Sequence, residues 1–140
     1  MLLTSSSAFA CSCGGNWSEE RAYTAYDNVA IVRIAEMKIR IEHENITEYS
    51  KEFPKGRDVV RETKVIEASG EVVEQLKGKK SSTVKLIGFR RSNTCSQELV
   101  FDEVYVVFWT GDVADFNACN RQPLLSTVPQ ELIQKWRSDL

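Results

Sequence analysis

Two cysteines stand one residue apart in Cys11-Ser12-Cys13, and the other two, Cys95 and Cys119, lie far downstream. Thiols at such positions can bridge, hold a metal or attack a substrate. A Cys11–Cys13 bridge would close a very small, strained ring, so the cross-chain pairings dominate; four cysteines allow three pairings in all. In an extended segment residues i and i+2 face the same side. Cys11 and Cys13 can then staple the N-terminal strip onto two different parts of a barrel or sheet. Each bridge would close a loop of about 85 to 110 residues, worth on the order of 4–5 kcal/mol in the loop-entropy model. A Cys₄ zinc site is the competing reading, and a C-x-C followed by two isolated cysteines is poor zinc-ribbon spacing. With all four thiols committed to bridges, none is left as a nucleophile.

The remaining chemistry-bearing residues are sparse. His43 is the only histidine and sits between Glu42 and Glu44. A solvated strand residue is the stronger reading than a metal ligand, and no Ser-His-Asp or Cys-His set forms without it. Asp102, Glu103, Asp112 and Asp115 read as loop decoration rather than paired carboxylates for acid-base work. Gly14-Gly15 lacks the flanking motif of a phosphate loop. The expectation is a protein that is not an enzyme, with no catalytic residue and no cofactor.

Residues 1–10, Met-Leu-Leu-Thr-Ser-Ser-Ser-Ala-Phe-Ala, end in a small-x-small triplet of the kind a signal peptidase cleaves after. They are too short for a full signal peptide and lack a positive start, so they read as a residual or truncated signal segment. Cys11 follows at once, and an exported chain keeps disulfides. The expected location is therefore secreted, or periplasmic in the cell envelope. Lipid attachment to Cys11 is the weaker alternative, since Phe9 is bulky where lipoprotein signals prefer small residues. Asn45-Ile46-Thr47 spells an N-x-T sequon, which matters only in a eukaryotic secretory pathway.

Composition fits one globular domain over residues 11–140. The chain has 140 residues, 42% hydrophobic and 27% charged, with formal net charge −2. No run of 18 apolar residues exists, so no transmembrane helix is expected. A monomer is the simplest expectation.

The patterning supplies the elements. A capping-box-like Asn16-Trp17-Ser18-Glu19 opens a helix over about 17–27, with Ala22, Ala25 and Tyr26 at helical spacing. A long strand spans roughly 29–43, where Met37, Ile39 and Ile41 alternate with Lys38, Arg40 and Glu42; it is expected to be half buried towards its end. Residues 44–58, with Pro54 and Gly56, read as a loop. Strand character returns over 59–77, with Gly70 marking a bulge or bend. Val84, Leu86, Ile87 and Phe89 make a third strand. Glu103-Val-Tyr-Val-Val-Phe-Trp109 is a continuous apolar run, expected to be covered on both faces. Asp112–Cys119 holds a shorter fifth strand. A last helix begins near Pro129, with Ser126 or Thr127 as cap and Leu132, Ile133, Trp136 and Leu140 on one face. The three tryptophans read as core anchors. Five strands with one helix before and one after fit a small closed or nearly closed barrel.

The set "CSC", a following helix, a long strand, "EQLKG", "NTCS", "VYVVF" and "ACN" resembles the N-terminal domain of the tissue inhibitors of metalloproteinases, in the netrin-like OB-fold family. The resemblance runs from Cys11 to about Trp136. It implies a mainly β fold: a five-stranded Greek-key OB-fold barrel with flanking N- and C-terminal α-helices. It implies the disulfides Cys11–Cys95 and Cys13–Cys119. It also implies inhibition of a zinc metalloendopeptidase, with the α-amine and carbonyl of Cys11 chelating the catalytic zinc of the protease. A catalytic zinc keeps an open position, and an α-amine with a reference pKa of about 7.7–8.0 is partly neutral near pH 7. The protease-binding residues implied are Cys11, Ser12, Cys13, Asn93, Thr94, Cys95 and Ser96. The family's third N-domain disulfide and its cysteine-rich C-terminal domain are absent, and Gly14-Gly15 replace bulkier residues. The alternative is a non-inhibitory netrin-like protein-binding or adhesion module of the cell envelope, using loops such as 44–58. OB barrels also bind single-stranded nucleic acid. The local basic residues Lys77, Lys79, Lys80, Lys85, Arg90 and Arg91 are balanced by acidic ones and read as surface, so no nucleic acid partner is expected.

Overall fold

The computed structural model of the chain describes residues 17–90, 97–116 and 121–140. Helix α1 (Glu19–Ala25) precedes five strands, β1 (Asn28–Glu48), β2 (Arg57–Lys77), β3 (Thr83–Arg90), β4 (Val104–Trp109) and β5 (Val113–Asp115). Helix α2 (Gln130–Ser138) follows them. The sheet order is β4-β1-β2-β3-β5, antiparallel except for the parallel β3–β5 pair. β4 and β5 end that order and join through Thr110, Gly111 and Asp112, so the sheet curls into a nearly closed OB-fold barrel, as the sequence predicts.

The apolar runs of β1 and β4 are explained by burial on both faces. Ala30, Val32, Ile34, Tyr105, Val107 and Trp109 join Leu86, Ala114 and Phe116 in one core. Their neighbours Val29, Ile31, Val106 and Phe108 join Ala22, Ile133 and Trp136 in a second core beneath the helices. Each fully buried side chain of this size contributes about 1.5–3 kcal/mol.

Gly70 marks a bulge, as expected, although the extra residue lies on the partner strand. Ile34 pairs with Gly70 and Glu36 with Ser69, which leaves Ala35 between them. A Cβ at Gly70 would fall 2.1 Å from Val32 Cγ1, so the close approach of β1 requires glycine. Beyond the bulge the two strands run past the barrel. β4 pairs only with Asn28–Arg33, and β3 only with Lys64–Glu71. The rest of β1 and β2 form a projecting ribbon whose tip spans residues 49–56.

Several expected boundaries shift for identifiable reasons. Ser18 is the N-cap of α1 and its Oγ accepts the Arg21 N–H at 3.2 Å, so the helix is shorter than 17–27. The expected loop 44–58 is strand at both ends, because Ile46–Val59, Thr47–Asp58 and Glu48–Arg57 pair across the ribbon, and only residues 49–56 form the loop. The end of β1 is not half buried: Ile39 and Ile41 are 60% and 56% exposed, since no core lies beneath the ribbon. Pro129 is the N-cap of α2, and Thr127 Oγ1 donates to the Leu124 carbonyl in a 3-10 turn (Leu125–Thr127) instead of capping it. Ile133 and Trp136 are buried as expected, whereas Leu140 is exposed past the helix end. Among the described residues no helix is long and apolar enough to cross a membrane.

Candidate functional site

Cys11, Ser12, Cys13, Asn93, Thr94, Cys95, Ser96 and Cys119 lie outside the described residues, as do segment 1–10, Gly14, Gly15 and Arg91. Their described flanks converge on one residue of β4, Phe108.

The N-terminal flank arrives through Trp17. Its ring meets the Phe108 ring edge-on, centroids 6.4 Å apart. Helix α1 holds it there. Tyr23 stacks on Trp136 at 4.8 Å, and Trp136 stands edge-on to Phe108 at 6.0 Å. Lys77 Nζ donates to the carbonyls of Tyr23 and, at 2.7 Å, Tyr26, where the α1 C-terminus concentrates partial negative charge. It also lies 5.0 Å above the Tyr23 ring. Lys77 is therefore a helix cap, and the basic stretch that contains it is partly structural. Burial pushes the Tyr23 hydroxyl pKa up, with Asp139 adding to the effect.

The other two flanks arrive through glutamines. The Gln122 side chain is fully buried and completes the barrel where β4 and β5 diverge. Its Oε1 accepts the Phe108 N–H at 2.8 Å, and its Nε2 donates to the Phe108 carbonyl at 3.1 Å and the Asp115 carbonyl at 2.6 Å. One amide thus does for Phe108 what a neighbouring strand would do. Gln97 repeats the device one step out. Its Oε1 accepts the Gln122 N–H at 2.7 Å, and its Nε2 donates to the Gln122 carbonyl. The Val106 N–H donates to the Pro123 carbonyl at 2.8 Å, extending the seam. Sequence reasoning missed both glutamines, since a lone glutamine beside a loop carries no periodic or motif signal.

The loop ahead of β4 is fixed at the barrel's other end. Asp102, at φ 68, donates its N–H to the Ile34 carbonyl at 2.9 Å, and the Ile34 N–H donates to Glu103 at 3.0 Å. Arg33 forks to Glu71 at 2.6 Å and Asp102 at 2.5 Å, and both bonds, Glu71's first, raise its guanidinium pKa. The Val100 N–H donates to Tyr105 Oη at 2.9 Å. Burial raises the Tyr105 pKa, that N–H opposes the rise, and Glu103 adds to it. Asp102 and Glu103 are thus structural.

His43 lies exposed on the ribbon, 3.9 Å from Glu62. Asp112 and Asp115 do not join Asp102 in a carboxylate cluster, and among the described residues no group of three His, Cys, Asp or Glu is placed to hold a metal. An open groove of about 310 Å³ runs along β1, β2 and β3. Glu36, Lys38, Glu67, Ser69, Thr83 and Lys85 line it, a mixed-charge wall without a nucleophile–base pair.

No protein-family model matches the chain, and no curated protein matches it.

Proposed function

We propose that this chain is an exported protein similar to the tissue inhibitors of metalloproteinases. In this reading it blocks zinc metalloendopeptidases by presenting the Cys11 α-amine and carbonyl to the catalytic zinc. Disulfides Cys11–Cys95 and Cys13–Cys119 hold that terminus, and Ser12, Asn93, Thr94 and Ser96 flank it against the protease.

The observation that carries this reading is the convergence on Phe108. Trp17 and Gln122 meet at Phe108, and Gln97 bonds Gln122. Cys13 is four residues from Trp17, a reach of about 14 Å, and Cys95 and Cys119 are within about 7 and 10 Å of reach from Gln97 and Gln122. A disulfide needs its Cα atoms about 5.5–6 Å apart, which these tethers permit. A terminus held this way loses little freedom on binding, so its ordering cost is small.

The test compares protein processed to begin at Cys11 with protein carrying Met1–Ala10, against a panel of zinc metalloendopeptidases with fluorogenic peptides. Inhibition by the processed form alone is expected. Equal potency, or none in either form, rejects zinc chelation by the terminus. A non-reducing peptide map reads the two pairings separately.

The ribbon tip favours a second reading, a non-inhibitory netrin-like binding module. Tyr49 is 72% exposed there, and Phe53 is held by mutual backbone bonds with Ser50 under Arg57. Pull-down of a non-protease partner that is lost on replacing residues 49–56 supports it; loss only on blocking the N-terminus counts against it.

A further inference from the structure

The outer edge of β1 is unpaired past Ile34 among the described residues. β4 leaves the register at Arg33, residues 102–103 bond Ile34, and Glu36–Glu48 pair with β2 on one side only. From Glu42 outward the ribbon has two strands only, which is marginal in water, whereas Glu36–Ile41 edge a sheet that β3 extends beyond Lys64–Ser69, and a free edge is a template for another strand. This edge also carries apolar side chains into solvent. Ile39 and Ile41 share a face with Val60 of β2, and all three are exposed.

We propose that a second copy of this chain occupies the edge, β1 against β1, antiparallel, about a two-fold axis at Ile41. In a symmetric antiparallel pair one residue must face itself, so the candidate registers can be compared one by one over Glu36-Met-Lys-Ile-Arg-Ile-Glu-His-Glu-Asn-Ile46. An axis at Arg40 sets Arg40 against itself and Glu36 against Glu44. An axis at Ile39 sets Lys38 against Arg40 and Glu36 against Glu42. Axes at Glu42 and His43 oppose Glu42 to itself and to Glu44. The axis at Ile41 alone sets Lys38 against the partner's Glu44 and Arg40 against the partner's Glu42, each twice. It places Ile41 against its own copy and Ile39 beside the partner's His43, so the charges meet on one face and the apolar residues on the other.

The chain leaves these charges available. Lys38 and Glu44 make no ion pair among the described residues. Arg40 bonds Glu42 and Glu67 of its own chain, so exchanging one Glu42 for the partner's keeps both contacts in kind. In this register the ladder ends with Glu36 against the partner's Ile46, because residues 102–103 already occupy the edge at Ile34, and the partner's tip turns towards the loop where Val100 and Phe101 are exposed. The product is a four-stranded sheet, β2-β1-β1-β2, closed by its own symmetry. It goes beyond the inhibitory reading and does not depend on it.

Sedimentation velocity of the full chain over the micromolar range tests the proposal, with Lys38→Glu, Glu44→Lys, and the two combined. A dimer is expected for the native chain. Each single reversal replaces two attractive pairs with two repulsive ones and weakens association about tenfold or more. The combined variant restores it, and mixing the two single variants yields a heterodimer. Far-UV circular dichroism verifies that each variant folds. A native chain that stays monomeric, single variants that associate as the native chain does, or a combined variant that fails to recover overturns the proposal.

Discussion

Replacing Gln122 tests whether a side chain closes this barrel. Gln122→Ala removes three hydrogen bonds: from the Phe108 N–H, and to the Phe108 and Asp115 carbonyls. Gln122 is only 1% exposed, so the stranded groups do not simply return to water. A buried polar group left unsatisfied costs about 1–3 kcal/mol. Taking about 1 kcal/mol for each and adding a small cavity gives a loss of about 3–4 kcal/mol, a large share of the ~5–15 kcal/mol typical of a domain. Gln122→Glu separates geometry from chemistry. The isosteric carboxyl still accepts from Phe108, but its second oxygen faces two carbonyls and must carry a proton to bond either. Its folded pKa is therefore raised above the unfolded value of about 4.3. A raised carboxyl pKa leaves stability intact below the unfolded pKa and removes it as pH rises, by about 1.4 kcal/mol per unit up to the folded pKa. Urea titrations from pH 4 to 7, each set against the native chain, should show Gln122→Glu within about 1–2 kcal/mol of native at pH 4 and diverging steadily above it. A loss under about 1 kcal/mol for Gln122→Ala, or an offset for Gln122→Glu that ignores pH, would refute the idea that this amide holds β4 to β5.

Three further outcomes follow from packing and charge. Glu74 takes both ends of the Arg137 fork at 2.7 and 2.8 Å, and these bonds pull its carboxyl below the usual range against a smaller opposing effect of burial. Its lowered pKa gives stability above about pH 4.3 that fades as pH falls through the folded value, so Glu74→Gln should cost about 0.5 kcal/mol at pH 7 and nothing near pH 2.5 by denaturant midpoints. Gly70→Ala should cost about 1–3 kcal/mol through the clash with Val32, and a cycle with Val32→Ala should recover about 1 kcal/mol or more as coupling. Lys77→Met removes the cation from the α1 C-terminus and should cost about 1 kcal/mol, with faster amide exchange confined to α1.

The barrel was legible because its strands obey burial. Val104–Trp109 is apolar without alternation because the barrel interior lies on one side and α1 and α2 on the other. Gly70 announced a break in the regular ladder because a glycine inside a strand marks a bulge, a bend or a close approach, and here a bulge and a close approach coincide. The ribbon misled for the opposite reason. Met37, Ile39 and Ile41 alternate with charges as a half-buried strand does, yet only Met37 touches the core, and alternation cannot report whether a core exists beneath it. The polar residues of 44–48 concealed a strand because a ribbon wet on both faces needs no apolar pattern, only partners across it. The flanks of the candidate site were invisible for a third reason. Gln97 and Gln122 act through long-range bonds to backbone, which no local pattern encodes.

A barrel closed entirely by a backbone ladder is indifferent to the loops that enter and leave it. Here the seam between β4 and β5 runs through Gln122, and Gln122 is itself held by Gln97. Gln97 lies two residues past Cys95 and Gln122 three past Cys119. If those cysteines bridge to Cys11 and Cys13 respectively, the covalent anchors of the terminus and the closure of the barrel share the same short stretches of chain. Strain at one is then felt at the other, because close-packed interiors transmit displacement rather than absorb it. An inhibitor that must offer a backbone amine in one orientation gains from this arrangement. On the inhibitory reading proposed above, the terminus would take its position from the strand that carries Phe108, reached through Trp17 on one side and the paired glutamines on the other.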